Sequence, residues 1–380
     1  MKYCFRLGWI VLLTVFVQTD LFAQPSSNYA SRISGLAGRF GGSSGGARGT
    51  GASLDSLKHR DPFEDSLTIR FRYLDDTRSF TFDSSINDFY SRFTIPANHV
   101  FLGNHGNATR PIIFTPIDRP GWDAGFHAFD VYAYKPEEAR FFTTTRPYTM
   151  LSYLIGSKAE QMITVHQTQN IKPNWNFSFQ YRMINATGFF SSQNTNHNNY
   201  LFTSWYNSKN RKYTAYFMIV ANKLSSSENG GIQYDSLLKD NAYTRDRITV
   251  PTNMGTQGKI SRNFFSTKVT TGNKYSNFTF LYRHQYDFGK KDSIGSDSTA
   301  VHILIPRVRF EHTFRYSTYK YEFVDNAGDS TYYATNYGLK GRSATFVFDT
   351  LDKWREMIND FSIIQFPESI RAVIKNGILN

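Results

Sequence analysis

From Trp175 to Met183 apolar and polar residues alternate without a break. Trp175, Phe177, Phe179, Tyr181 and Met183 fall on one side; Asn176, Ser178, Gln180 and Arg182 fall on the other. A two-residue period places such residues on opposite faces of a β-strand. Residues 161–169 repeat the pattern, with Ile163 and Val165 against Thr164, His166 and Thr168. Residues 149–156 set Leu151, Tyr153 and Ile155 against Met150, Ser152 and Leu154. Turn-forming residues separate the stretches at 156–159 and 170–173, so the three read as a meander of antiparallel strands.

The same grammar continues downstream. Residues 200–206 and 213–220 read as a hairpin around a turn at 207–210, with Tyr213, Ala215, Phe217 and Ile219 on its apolar side. Residues 225–263 are long, polar and rich in Gly and Asn, as expected of an external loop. Strands are predicted at 264–271 and 277–288, the latter with Phe278, Phe280, Tyr282, Tyr286 and Phe288 opposite Thr279, Arg283, Gln285 and Asp287. Residues 301–317 form the longest candidate. Leu304, Val308, Phe310, Phe314 and Tyr316 share one face, and Arg307, Arg309, Glu311, Thr313 and Arg315 the other. A separate strand at 319–323, a turn at 325–330, one or two helical turns at 352–359 and a strand start at 361–372 complete roughly nine strand candidates. That count is odd and the chain ends on Asn380 rather than an aromatic, so it reads as C-terminally truncated.

Ahead of the meander lie three regions. Residues 1–23 combine a basic start, an apolar run from Leu7 to Val17 and a small residue at Ala23, the pattern of a secretory signal. The run is shorter than the roughly 20 apolar residues of a membrane helix. Cleavage there removes Cys4, the one cysteine, so the exported protein has no disulfide framework. Residues 24–51 include a Gly/Ser/Arg-rich flexible stretch whose Gly41–Gly45 match to a nucleophile elbow lacks a flanking strand and helix. Residues 52–147 read as a periplasmic or plug-like region: a hairpin at 65–83, a connector at 86–92, a loop at 98–120 and more alternation at 125–134.

Alternation alone fits either a soluble sandwich or a barrel in lipid. The 34 Phe and 24 Tyr tilt the reading toward the barrel, because they sit at alternate positions while mean hydropathy stays at −0.45. A dry core favours Val, Ile and Leu; a lipid-facing wall around a wet interior accommodates this aromatic pattern. The net charge of +12 is scattered singly, with no basic run or nucleic-acid motif, so no nucleic-acid partner is expected. Acidic lipid headgroups and anionic solutes suit it better. No P-loop, C-x-x-C, H-E-x-x-H or supported G-x-G-x-x-G occurs, and neither a cofactor nor a metal is expected. A barrel hydrolase would need Ser, His and Asn or Asp to converge; Ser152, His166 and His284 carry no spacing that singles them out.

Several landmarks resemble the putative porin family of Bacteroidetes outer membranes. They are Pro147-Tyr148-Thr149, Leu151-Ser152-Tyr153, Gly156-Ser157-Lys158, Gln161, His166–Asn170, residues 177–182, Thr195–Asn199 and Glu228–Gly231, together with Leu102-Gly103-Asn104 and Pro111–Phe114. The resemblance implies an outer-membrane β-barrel with a pore and supplies no catalytic residues.

The expected fold is therefore all-β, an antiparallel up-and-down transmembrane barrel occupying residues 148–380 and incomplete in this chain. The expected function is a non-enzymatic, Gram-negative outer-membrane channel for passive diffusion of small polar or anionic solutes, with weak anion preference. Pore-lining candidates are His166, Gln180, Arg182, Arg283, Gln285, Arg307, Arg309, Glu311 and Arg315. Two rival readings are a non-conducting barrel serving as structural or plug subunit of an outer-membrane secretion or uptake complex, and a secreted glycan-binding β-sandwich.

Overall fold

A computed structural model describes residues 69–75, 94–114, 116, 123, 125–157, 160–255, 268–294, 301–339, 341 and 343–367. The signal at 1–23, the stretch at 24–51, the connector at 86–92 and most of the hairpin at 65–83 lie outside them. Four short strands come first: β1 (Ile69–Arg72), β2 (His99–Phe101), β3 (Thr109–Pro111) and β4 (Phe141–Thr144). β1 pairs with β4 and β2 with β3. The alternating stretches then build β5 (Tyr148–Ile155), β6 (Gln161–Lys172), β7 (Trp175–Ala186), β8 (Thr195–Asn207), β9 (Tyr213–Ser227), β10 (Thr271–Ile294), β11 (Val301–Asp329) and β12 (Thr345–Gln365).

These eight strands form one antiparallel sheet in which every strand pairs with its sequence neighbour, the up-and-down order of a barrel-like all-β fold. Among the described residues, β5 and β12 do not pair with each other. The connections differ at the two ends. At one end, residues 173–174 and 208–212 join strands; at the other, β5 and β6 are separated by residues 156–160, β7 and β8 by 187–194, β9 and β10 by 228–270, and β11 and β12 by 330–344. The long-loop end carries single helical turns at Asp235–Lys239 and Asn241–Thr244, and an eight-residue helix α1 (Ser330–Tyr337).

Register fixes the faces. Asn176, Trp205, Tyr216, Arg283 and Thr313 stand in one row across β7 to β11. One step along, Phe177, Ser204, Phe217, Tyr282 and Phe314 form the row on the opposite face. The second face is aromatic: Phe202, Phe217, Phe280 and Phe314 meet edge to face across four strands at centroid distances of 5.9, 5.4 and 6.2 Å. The first face is the buried one, and what buries it is the chain before β5. Ala139 and Phe141 pack with Leu201, Trp205, Tyr216, Met218, Val220 and Leu281. Phe129 and Tyr132 pack with Met162, Ile184 and Leu224.

Four expectations are corrected. Residues 319–323 are not a separate partner strand and 325–330 is not a turn after it, because β11 continues as one strand from Val301 to Asp329, its register shifting only opposite Phe288/Gly289 and at Asp325/Gly328. Tyr319, Tyr321 and Phe323 therefore share the face of Arg309, Thr313 and Arg315. Residues 352–359 are not helical but belong to β12, whose pairing with β11 from Val308 to Asp329 outweighs weak local helix preference. The 98–120 loop contains the β2–β3 hairpin. Of the strand predicted at 264–271, residues 264–267 lie outside the described residues and 268–270 precede β10 without strand pairing, so the main sheet has eight strands among the described residues.

Candidate functional site

The buried face is held to the preceding chain mainly through main-chain carbonyls. Thr195 Oγ1 donates to His105 O at 2.7 Å, and His197 Nε2 lies 2.7 Å from Gly106 O. Arg182 and Asn199 both donate to Tyr132 O, Asn199 at 2.8 Å. Nearer the short-turn end, Thr203 Oγ1 donates to Arg140 O at 3.0 Å and Trp205 Nε1 to Phe142 O. Arg283 Nη1 reaches Leu74 O at 2.8 Å, and Thr144 N donates to Asn170 Oδ1 at 3.1 Å. The chain thus descends the wall from the long-loop end to the short-turn end, where β5 begins. Side chains satisfy the backbone that regular pairing does not, as buried peptide groups require.

The local reason lies in β8 and β9. In Thr195-Asn196-His197-Asn198-Asn199 the residues facing the preceding chain are polar, and Asn222 continues that polar row on β9. From Ala215 to Val220 both faces of β9 are apolar, and the inward Tyr216, Met218 and Val220 pack on Ala139 and Phe141. A strand apolar on both faces is covered on both, and that run was the available signal that the wall has an occupant.

His105 lies in this packing. Burial, and secondarily the nearby Arg182 charge, lower its pKa to about 4, so the ring is neutral near pH 7. His127 sits between Asp123 Oδ2 at 2.9 Å and Asp130 Oδ2 at 3.0 Å. Its burial opposes charging, but the two carboxylate hydrogen bonds outweigh that and raise its pKa.

The predicted lining residues divide into three groups. His166, Gln180 and Arg182 face the preceding chain. His166 lies 3.0 Å from Ser178 Oγ and 4.6 Å from the Phe142 ring, Gln180 stands in register with His166 and Leu201, and Arg182 lies 4.6 Å over the Tyr134 ring. Arg283, Gln285, Arg309, Glu311 and Arg315 continue that face on β10 and β11, where the cations meet carboxylates. Arg309 Nε lies 2.7 Å from Asp287, Arg283 Nε 3.4 Å from Glu311, and Arg315 3.0 Å from Glu356 and 3.3 Å from Glu137. Gln285 is buried opposite Thr214 and Glu311. Arg307 is set apart: it falls at the register shift beside Phe288/Gly289 and is exposed. The residues missed are Asn199, Asn222, Thr195, Thr203, His197 and Trp205, which hold the descending chain.

Ser152, His166 and His284 do not converge. Ser152 is in register with Thr164, His166 bonds Ser178, and His284 lies on the aromatic face 3.0 Å from His312. That face is otherwise apolar along β10 from Phe278 to Phe288. Ten residue steps at about 3.3 Å, at the usual barrel tilt, give a band roughly 25 Å tall, the height of a barrel's lipid-facing belt. At its long-loop edge Lys274 pairs with Glu322 at 2.9 Å. No helix among the described residues is long and apolar enough to cross a membrane.

No curated protein and no solved structure matches the chain. A family model does, over residues 69–380, and its description is "putative porin". The match covers the sheet and the chain packed on it, so the protein belongs to the putative porin family.

Proposed function

We propose that the chain forms the wall of an outer-membrane channel for passive diffusion of small polar solutes, with the described residues between 94 and 147 filling part of its interior. The supporting observation is the inverted sidedness of the sheet. The face that carries Arg182, Asn199, Asn222 and Arg283 is covered by the chain's own descending segment through polar contacts and apolar packing alike, while the sheet's aromatic face is turned outward in a belt of membrane height. Lipid cannot satisfy backbone edges, so β5 and β12 both take strand partners in the assembled wall. Long loops face the exterior and short turns the periplasm. No substrate is transformed in this reading.

Anion preference is weak in this proposal because Arg283, Arg309 and Arg315 each have a carboxylate within 3.4 Å. The rival plug-subunit reading draws on the same coverage of β6 to β9. Planar-bilayer recordings of the full chain under a KCl gradient separate the two. A conductance with a small reversal potential on the anion side is expected. Cation preference would defeat the selectivity, and a correctly inserted protein without conductance would favour the plug subunit.

A further inference from the structure

A cavity of about 190 Å³ opens where residues 125–130 of the descending chain meet β10 and β11 near the long-loop end. Phe126, Tyr275 and Tyr321 wall it; His127, Asp130 and Asn273 bring polar groups. The aromatic wall is pinned in place. Phe126 stacks on Tyr321 at 3.9 Å with the rings 10° from parallel. The Tyr321 hydroxyl donates to Asn273 Oδ1 at 2.6 Å, and Asn273 Nδ2 donates to Glu228 Oε1 at 3.0 Å. Trp354 extends the aromatic surface, 6.5 Å from Phe126 and stacked on Tyr319 at 5.4 Å. The Tyr275 hydroxyl has no hydrogen-bond partner among the described residues, although a half-buried tyrosine usually finds one.

We infer that this cavity binds one ring of a neutral carbohydrate. A pyranose presents a weakly polar C–H face to an aromatic wall and a rim of hydroxyls that both donate and accept. The wall here is aromatic, and the rim offers a tyrosine hydroxyl, an amide, a carboxylate and an imidazole. Two other ligand classes fit less well. Asp130 on the rim and Asp123 behind it together outweigh a charged His127, which disfavours an anion. A small cation would compete with His127, which already engages both Asp123 and Asp130.

The inference deepens the channel reading by naming its solute class, and the two fail separately. Saturation-transfer NMR on the detergent-solubilised full chain, with maltotriose as probe and tetramethylammonium as control, reads binding without requiring conductance. Maltotriose signals are expected, weakened at least tenfold in Phe126→Ala and severalfold in Tyr275→Phe, which removes one oxygen and preserves the ring. Heat-modifiable gel migration checks that each variant is folded. Absence of maltotriose binding by the folded protein, binding untouched by both substitutions, or tetramethylammonium binding in its place would overturn the site. A conducting channel that ignores maltotriose removes this inference alone; binding without conductance removes only the channel.

Discussion

The side-chain amide of Asn222 hydrogen-bonds Tyr134 as a neighbouring strand would. Its Oδ1 accepts from Tyr134 N at 2.9 Å and its Nδ2 donates to Tyr134 O at 3.0 Å. One wall residue thereby satisfies both main-chain groups of a buried, irregular stretch. Asn222→Ala orphans the pair, and each unmet buried group costs about 1–3 kcal/mol. The denaturation midpoint of the folded protein in detergent should fall accordingly; an unchanged midpoint would show that water replaces the amide.

Adjacent residues on β10 test which face meets lipid. Phe280 points outward, whereas Leu281 is buried against the descending chain. An arginine at a lipid-facing midplane position costs about 2–4 kcal/mol. Phe280→Arg should therefore impair refolding into lipid vesicles, measured as loss of the compact, heat-modifiable gel band. On a water-facing sheet the same change would leave folding intact.

Asp287 and Arg309 form a pair whose side chains are 11% and 15% exposed. Removing one partner of a buried pair costs about 3–5 kcal/mol. Asp287→Asn should lower stability and, in protein that still inserts, remove one negative charge beside Arg309. The reversal potential should move further toward anions. An unchanged reversal potential would place this pair off the conduction path.

Acid should loosen the long-loop end through His105. Its folded pKa of about 4 lies below the ordinary 6.5, so burial disfavours the charged ring. The stability associated with the neutral ring is fully present above about 6.5 and is lost as pH falls toward 4. His127 has the opposite sign: its raised pKa makes its clamp complete below about 6.5 and lost as pH rises through the raised value. His105→Gln should flatten the decline in unfolding midpoint between pH 7 and pH 4.5 relative to the parent. Equal declines would assign the acid sensitivity elsewhere.

Alternation by itself determined the strands, their antiparallel order and which residues share a face, since a two-residue period encodes sidedness directly. Phe177, Phe217 and Phe280 on one face and Arg182, Arg283 and Arg309 on the other were legible in this way. Long-range pairing decided the rest. Residues 352–359 became strand because β11 offered them an edge, and 319–323 joined β11 because its register is continuous from Val308 to Asp325. The tertiary structure also decided what the polar face meets. Asn199 and Asn222 could serve a wet lumen or a polypeptide equally well in sequence, because an amide bonds water and backbone alike. Only folding brought Tyr132 and Tyr134 beneath them.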